Sequence, residues 1–161
     1  MILSPPPRVV SLALMALAVA ACGESSGPAT PKAPPPAALT AEQIGVALTA
    51  LPAPYNEADY ENGRRAFARC RACHTVTPGG PNMTGPNLYG LFGRPAGRHD
   101  GYNYSKALQA ADFTWDAERI DQWLANPRTY LPGNKMSFAG VPDNQDRRDL
   151  IAWLKIETSP R

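Results

Sequence analysis

The sequence is poor in net charge, in long apolar runs and in cysteine. Its formal charge is +2, and its Lys and Arg residues are interspersed with acids, so the basic surface that nucleic acid requires is not expected. The longest apolar run, residues 9–20 with one serine, is too short to span a bilayer comfortably. The three cysteines occur in two places only. Thiol chemistry is therefore confined to one N-terminal position and one short motif.

The N-terminal residues have the features of an export signal. Arg8 precedes the apolar run and small residues follow it, which predicts a signal peptide over residues 1–21. Residues 19–22, Val-Ala-Ala-Cys, resemble the lipobox of bacterial lipoproteins, in which the cysteine carries lipid and becomes the new N-terminus. We therefore predict that Cys22 is lipidated and anchors the chain on the periplasmic side of a bacterial membrane. The alternative is an ordinary cleaved signal.

A linker rich in proline and alanine is predicted over residues 22–54. It contains three consecutive prolines at 34–36 and cannot supply a core. Within it, Thr40 and Gln43 have the spacing of a capping box ahead of several apolar residues, which predicts a short helix. The remaining residues, 55–161, are predicted to form one small domain without internal repeats.

One motif in this domain carries chemistry. Cys70, Cys73 and His74 form the pattern CxxCH, which is typical of covalent haem attachment. Two cysteines at this spacing on a helical turn present both sulphurs on one side, where they can form thioethers with the haem vinyl groups, and the histidine can reach the iron. A thiol redox pair and half of a zinc site are the competing interpretations. However, only His99 remains as a further zinc ligand, and the alternating strand and helix pattern of a thioredoxin is absent.

A six-coordinate iron needs a second axial ligand, for which the candidates are Met83, His99 and Met136. Met83 follows His74 so closely that the chain would have to turn round the haem edge almost at once. Met136 lies beyond a Pro-Gly turn that would hold its sulphur in place. Since a thioether favours ferrous iron and raises the reduction potential, we predict Met136 as the ligand of an electron carrier.

From about residue 62 to residue 154, the domain resembles class I cytochromes c of the mitochondrial and alphaproteobacterial type. The stretches that carry the resemblance are CRACHTV, TGPNLYGLFGR, NPRTYLPGNKMSFAG and DLIAWLK. The resemblance implies an all-α cytochrome c fold, in which a small helical domain surrounds one covalent haem c and the N-terminal and C-terminal helices cross. In this chain, the crossing would pack Gly63 and Phe67 against Leu150 and Trp153.

The resemblance also implies roles for residues around the haem. Pro86 would accept the ring proton of His74 through its backbone carbonyl, which tunes the basicity of the ligand. Arg94, Tyr104 and Trp115 would lie around the haem propionates and offer them positive charge or hydrogen bonds. Together with the CxxCH motif and Met136, these residues form the predicted cofactor site.

Three residues expected beside the methionine ligand depart from the family. Leu108 stands where an asparagine is usual, Trp123 replaces a tyrosine and Asn134 replaces a threonine. In the family, these groups organise a hydrogen-bond network around a buried water. We therefore expect a thinner network here, with a reduction potential and a methionine bond that differ from the family norm.

The lysines that surround the haem edge in the family are only partly retained. Cations remain at Arg69, Arg128 and Lys135, whereas other residues replace frequent lysines at Pro81, Met83 and Thr129. Electrostatic steering onto acidic partners is therefore expected to be weaker.

These features predict an electron-transfer protein rather than an enzyme. We expect a lipid-tethered monomer that carries single electrons from a quinol-oxidising complex to a terminal oxidase or another periplasmic acceptor, in respiration or photosynthesis. One alternative is a haem subunit of a larger oxidase or reductase. Another is a peroxidase-like or gas-binding protein with an open sixth position, against which the motif around Met136 argues.

Overall fold

The structure, a computed structural model, describes residues 1–2 and 37–160. Residues 3–21 of the predicted signal peptide, Cys22 and the prolines at 34–36 lie outside these residues. From residue 37 onward, the described chain belongs to a unit that begins at Pro34. Within the described ranges, no helix is both long enough and apolar enough to cross a membrane.

Helices and loops make up residues 37–160. The α-helices there are α1 (Ala41–Thr49), α2 (Tyr60–Ala66), α3 (Lys106–Ala110), α4 (Ala117–Ala125), α5 (Pro127–Tyr130) and α6 (Asn144–Thr158). A short 3₁₀ turn at Tyr55–Glu57 precedes α2, and a second one at Phe67–Arg69 continues it. An isolated antiparallel bridge joins Pro95 to Thr114. The prediction of an all-α domain is confirmed.

Each of these α-helices begins at a polar cap. The capping side chains accept a hydrogen bond from the backbone N–H three residues further on, and they belong to Thr40, Asp59, Ser105, Asp116, Asn126 and Asp143. Because the first N–H groups of a helix have no partner within the helix, these caps determine where each helix starts.

Helix α1 is the short helix predicted from Thr40 and Gln43. The Gln43 N–H donates to Thr40 Oγ1 at 3.2 Å, and the Thr40 N–H donates to Gln43 Oε1 at 2.9 Å, so both halves of the capping box are present. The helix contacts α6 and the turn at Tyr55–Glu57. The start of the domain at residue 55 stays a prediction, and α1 lies on the N-terminal side of that boundary.

Helices α2 and α6 pack closely at Gly63. A Cβ atom there would lie 2.2 Å from the carbonyl oxygen of Asp149 and 2.7 Å from the Cβ atom of Trp153, so the backbones approach to a distance that only glycine permits. Next along the chain, Phe67 stacks on Trp153 with ring centroids 4.5 Å apart. Leu150 is fully buried in the same core. The predicted packing of these helices is confirmed.

A buried carboxylate also links α2 to α6 through hydrogen bonds. Asp149 is fully buried and accepts hydrogen bonds from the backbone N–H of Asp59 at 3.1 Å, the side-chain amide of Asn62 at 3.0 Å and the guanidinium of Arg148 at 2.8 Å. These donors satisfy a charge that would be costly to bury alone. The contact between α2 and α6 is therefore polar as well as apolar.

The close approach at Gly63 leads to a stability prediction. Gly63→Ala should lower the free energy of unfolding by about 2–3 kcal/mol, because the new methyl group meets backbone atoms of α6. The matched control is Gly45→Ala in α1, where nothing lies within 4 Å of the new Cβ atom. This control should be neutral or stabilise by up to about 1 kcal/mol. Denaturant unfolding followed by circular dichroism measures both, and equal effects would contradict the packing described.

Candidate functional site

One cavity brings together the residues that the sequence singles out. Its wall includes all the predicted cofactor-binding residues of the domain: Cys70, Cys73, His74, Pro86, Arg94, Tyr104, Trp115 and Met136. The other two candidates for the second axial ligand, Met83 and His99, do not line this cavity. The predicted lipidation site, Cys22, lies outside the described residues.

The two cysteines and the histidine share one tight turn. The N–H groups of Cys73 and His74 both donate to the carbonyl oxygen of Cys70, each at 3.0 Å. This turn follows directly on the 3₁₀ turn Phe67–Arg69, which itself continues α2. The packing of α2 in the core therefore determines where the motif lies. Neither thiol forms a disulfide, and two sulphurs on one wall suit the two vinyl groups of a haem.

The backbone that follows the motif orients the His74 ring. Its Nδ1 atom lies 2.7 Å from the carbonyl oxygen of Pro86. Since a carbonyl can only accept, Nδ1 carries the proton and Nε2 keeps its lone pair. Gly85 leaves room for the ring, because a Cβ atom there would lie 2.3 Å from Cε1. Burial lowers the pKa of His74 and outweighs the bond to Pro86, which raises it. The lowered pKa favours the neutral imidazole, which is the form that ligates metals.

The surroundings of the thiols do not suit the two competing interpretations. Burial raises the pKa of the free Cys70 thiol to about 11, with Arg69 acting against this shift and Cys73 adding to it. A redox-active pair instead needs a thiolate stabilised near neutral pH. In the described part of the chain, no group of three or more His, Cys, Asp or Glu residues could hold a metal ion. Among residues 37–160, the motif therefore lacks the partners of a zinc site.

Met136 lies in the loop that follows α5. The N–H of Asn134 donates to the carbonyl oxygen of Leu131 at 3.2 Å, and Gly133 between them has a φ of +82°. The predicted Pro-Gly turn is therefore present. Met136 is half-buried and packs against the core, whereas Met83 is 46% exposed.

A short backbone pairing sets Arg94 beside Trp115. The N–H of Trp115 donates to the carbonyl oxygen of Arg94 at 2.9 Å, and the N–H of Gly93 donates to that of Trp115 at 2.9 Å. Burial raises the pKa of Tyr104, although nearby Arg94 acts in the opposite direction, so its phenol stays protonated and can donate. Together these residues contribute a cation, a phenol and an indole to the lining of the cavity, a combination that suits buried carboxylates.

Two of the three departures from the family pattern make the wall apolar. Leu108 and Trp123 are buried and line the cavity. Trp123 meets Trp115 edge to face with centroids 5.4 Å apart, and Tyr130 at 6.0 Å. The side chain of Asn134 instead binds the backbone around it. This packing supports the hypothesis of a thinner polar network.

Sequence reasoning missed much of the apolar wall, which is completed by Leu88, Leu91, Ile120, Leu124 and Phe138. Ile120 and Leu124 lie one turn apart on α4, a spacing that could have indicated this pair, whereas Leu88 and Leu91 lie outside the helices. Phe138 has no comparable signal, because it lies in a loop.

The residues of the cavity fit a covalent haem. Two cysteine sulphurs, an oriented imidazole and a thioether line the same cavity, and much of the remaining wall is leucine, isoleucine and tryptophan. An apolar macrocycle that carries two carboxylates needs such a wall together with a few polar donors.

Comparison with known proteins gives the same answer. The cytochrome c family matches residues 60–156. The chain is 41% identical over 105 residues to a cytochrome c of Kluyveromyces lactis, which covers 65% of this chain and 96% of the relative. It is 42% identical over 108 residues to a cytochrome c2 of Blastochloris viridis, covering 67% and 85%. The solved structure of cytochrome cH from Methylobacterium extorquens superposes with a TM-score of 0.58 at 43% identity, covering 62% of this chain and 99% of that one.

These matches confirm the predicted fold, cofactor and class of activity. The domain has the cytochrome c fold, binds one covalently attached haem c and transfers electrons rather than catalysing a reaction. The chain belongs to the cytochrome c family, as a class I member with a single haem.

Proposed function

We propose that this mono-haem carrier is tethered to the periplasmic side of a bacterial membrane and that four side chains hold its haem. Cys70 and Cys73 form the thioethers, and His74 and Met136 ligate the iron. The observation that supports the assignment of these four residues is that they line one cavity. When bound, the haem supplies reversible one-electron chemistry, and its potential depends on the ligands and on burial.

The protein's part in this chemistry would be to keep His74 and Met136 in place as ligands in both redox states. The bond from His74 to the Pro86 carbonyl fixes the imidazole in one tautomer. The thioether of Met136 and the apolar wall both disfavour the extra positive charge of ferric iron, which raises the potential. Arg94, Tyr104 and Trp115 would receive the propionates on the same wall.

Ligation by Met136 predicts a spectroscopic signature. The purified ferric protein should show the weak near-infrared charge-transfer band of sulphur-ligated haem, and Met136→Ala should abolish it. Met83→Ala is the matched control, because Met83 does not line the cavity, and it should keep the band. A high-spin, five-coordinate spectrum of the unaltered protein would instead favour a peroxidase-like or gas-binding haem.

The apolar wall predicts the direction of a change in potential. Leu108→Asn places an amide beside the haem, and a polar group stabilises the ferric state, so the reduction potential should fall. A stabilisation equal to one hydrogen bond corresponds to a shift on the order of 40 mV. Ala110→Asn, at an exposed position of the same helix, should leave the potential unchanged. Spectroelectrochemical titration measures both variants, and equal potentials for Leu108→Asn and the unaltered protein would refute the hypothesis.

The proposed tether rests on the sequence of the N-terminal region and on the partner-facing charges. Bacterial c-type cytochromes are periplasmic, and the predicted signal peptide with Cys22 at its end adds a lipid anchor. The cations near the cavity are partly engaged within the protein. Arg69 lies 3.6 Å from Asp146, and Lys135 lies over the ring of Tyr102 at 4.5 Å. Confinement to the membrane of the donor and acceptor would compensate for weak steering by raising the effective concentration.

The tether predicts a change in location and in kinetics. Cys22→Ala should move the holoprotein from the membrane fraction to the soluble periplasm and raise its apparent KM with a membrane-bound oxidase, because tethering no longer concentrates it. A chain in which a cleaved, non-lipidated export signal is fused directly to residue 37 keeps α1 and its contact with α6 and should behave in the same way. The hypothesis fails if Cys22→Ala leaves both the fractionation and the KM unchanged at equal bulk concentration.

A further inference from the structure

The loop that carries Met136 has little regular structure to support it. It follows α5, which is a single turn at Pro127–Tyr130, and the next helix, α6, begins only at Asn144. One turn of helix is not stable alone, because so few hydrogen bonds cannot offset the cost of nucleation. The last carbonyl groups of such a helix also have no partner within it. The position of the methionine must therefore depend on contacts made by other groups.

Asn134 supplies such contacts. Its side-chain nitrogen donates to the carbonyl oxygens of Pro127 at 2.7 Å and Leu131 at 2.8 Å, and its Oδ1 accepts from the N–H of Met136 at 2.9 Å. Carbonyl groups can only accept and a backbone N–H can only donate, so these partners allow one orientation of the amide. A single half-buried side chain thus joins the start and end of α5 to the backbone of the predicted iron ligand.

A second anchor of the loop has a different character. Lys135 donates through Nζ to the carbonyl oxygen of Asn103 and lies over the Tyr102 ring. Its side chain is long and exposed, so ordering it costs rotamer entropy and water competes for its charge. The amide of Asn134 is short and partly shielded. We therefore expect it to contribute more than Lys135 to holding the loop.

We propose that Asn134 is a positioning residue that keeps the sixth coordination position of the haem iron closed. It acts through the backbone of Met136, and the inference rests on the proposed ligation of the iron by that residue. An external ligand can bind only when the methionine sulphur leaves the iron. By opposing the movement of the loop, Asn134 makes the haem an electron carrier rather than a site for small ligands or peroxide.

The test is a titration of the ferric holoprotein with imidazole, followed by absorbance. Asn134→Ala should bind imidazole at least about tenfold more tightly than the unaltered protein, because two or three hydrogen bonds no longer oppose loop opening. Its near-infrared charge-transfer band should also be weaker. Asn134→Asp has the same size and keeps the acceptor for the Met136 N–H, but it sets a carboxylate against two carbonyl groups. Asn134→Asp should therefore also tighten imidazole binding and weaken the charge-transfer band. It replaces Asn134→Ala in the test if the alanine variant does not form a holoprotein.

Three control variants separate positioning from general destabilisation. Asn103→Ala changes an exposed asparagine whose contact with Lys135 is made through its backbone, so imidazole affinity should not change. Tyr60→Phe removes the 2.5 Å hydrogen bond to Glu157 between α2 and α6. It weakens the fold away from the loop and should also leave the affinity unchanged. Lys135→Ala reports the contribution of the second anchor and should have a smaller effect than Asn134→Ala.

The outcomes distinguish this inference from the function on which it rests. If the unaltered protein lacks the charge-transfer band, ligation by Met136 is wrong, and the positioning role is wrong with it. If the band is present but both Asn134 variants keep the unaltered imidazole affinity, only the positioning role is overturned. It is also overturned if Lys135→Ala alone tightens imidazole binding, or if Tyr60→Phe tightens it as much as Asn134→Ala.

Discussion

The close approach of α2 and α6 at Gly63 is the contact on which the rest of the structure depends. The turn that holds Cys70, Cys73 and His74 continues from α2, so the position of α2 decides where the sulphurs and the imidazole lie. Helix α6 contributes none of the residues that line the described cavity, but it packs against α2, which leads into the motif, and against α4, which supplies part of the cavity wall. The hydrogen bonds of buried Asp149 at the same crossing give this contact a fixed register. The position of the predicted haem-attachment motif is therefore determined by the core of the domain.

The two predicted iron ligands are supported in different ways. His74 is packed against Gly85, bonded to Pro86 and continuous with a helical segment, so its ring can move only if buried structure is disrupted. Met136 lies in a loop whose order depends on side-chain hydrogen bonds to backbone groups. Local opening requires less free energy where few buried contacts oppose it. Under the proposed ligation, the Met136 loop is therefore the part of the domain whose opening would admit an external ligand to the iron.

Local patterns in the sequence predicted the features that depend on neighbouring residues: the CxxCH turn, the capping box of α1 and the Pro-Gly turn before Met136. Features that depend on segments far apart in the chain were harder to predict from the sequence. Phe138 reaches the cavity from an irregular loop, and the pairing that sets Arg94 beside Trp115 is too short to leave an alternating pattern. Asp149 shows no sign of burial in the sequence, because a charge in an amphipathic helix is normally solvated. The roles of the site residues toward the haem stay predictions, since they depend on a group that the sequence does not encode.

The position of α1 bears on how a tethered carrier could meet its partners. Long-range steering depends on unpaired surface charge, and near this cavity Arg69 is shared with Asp146. Helix α1 follows the proposed tether in the chain and contacts α6 and the turn at Tyr55–Glu57. None of these three segments lines the described cavity. The tether would therefore join the folded domain at a surface that is separate from the haem edge, so the anchor and the redox partner need not compete for the same surface. Confinement to the membrane can then raise the encounter rate without obstructing the site of electron transfer.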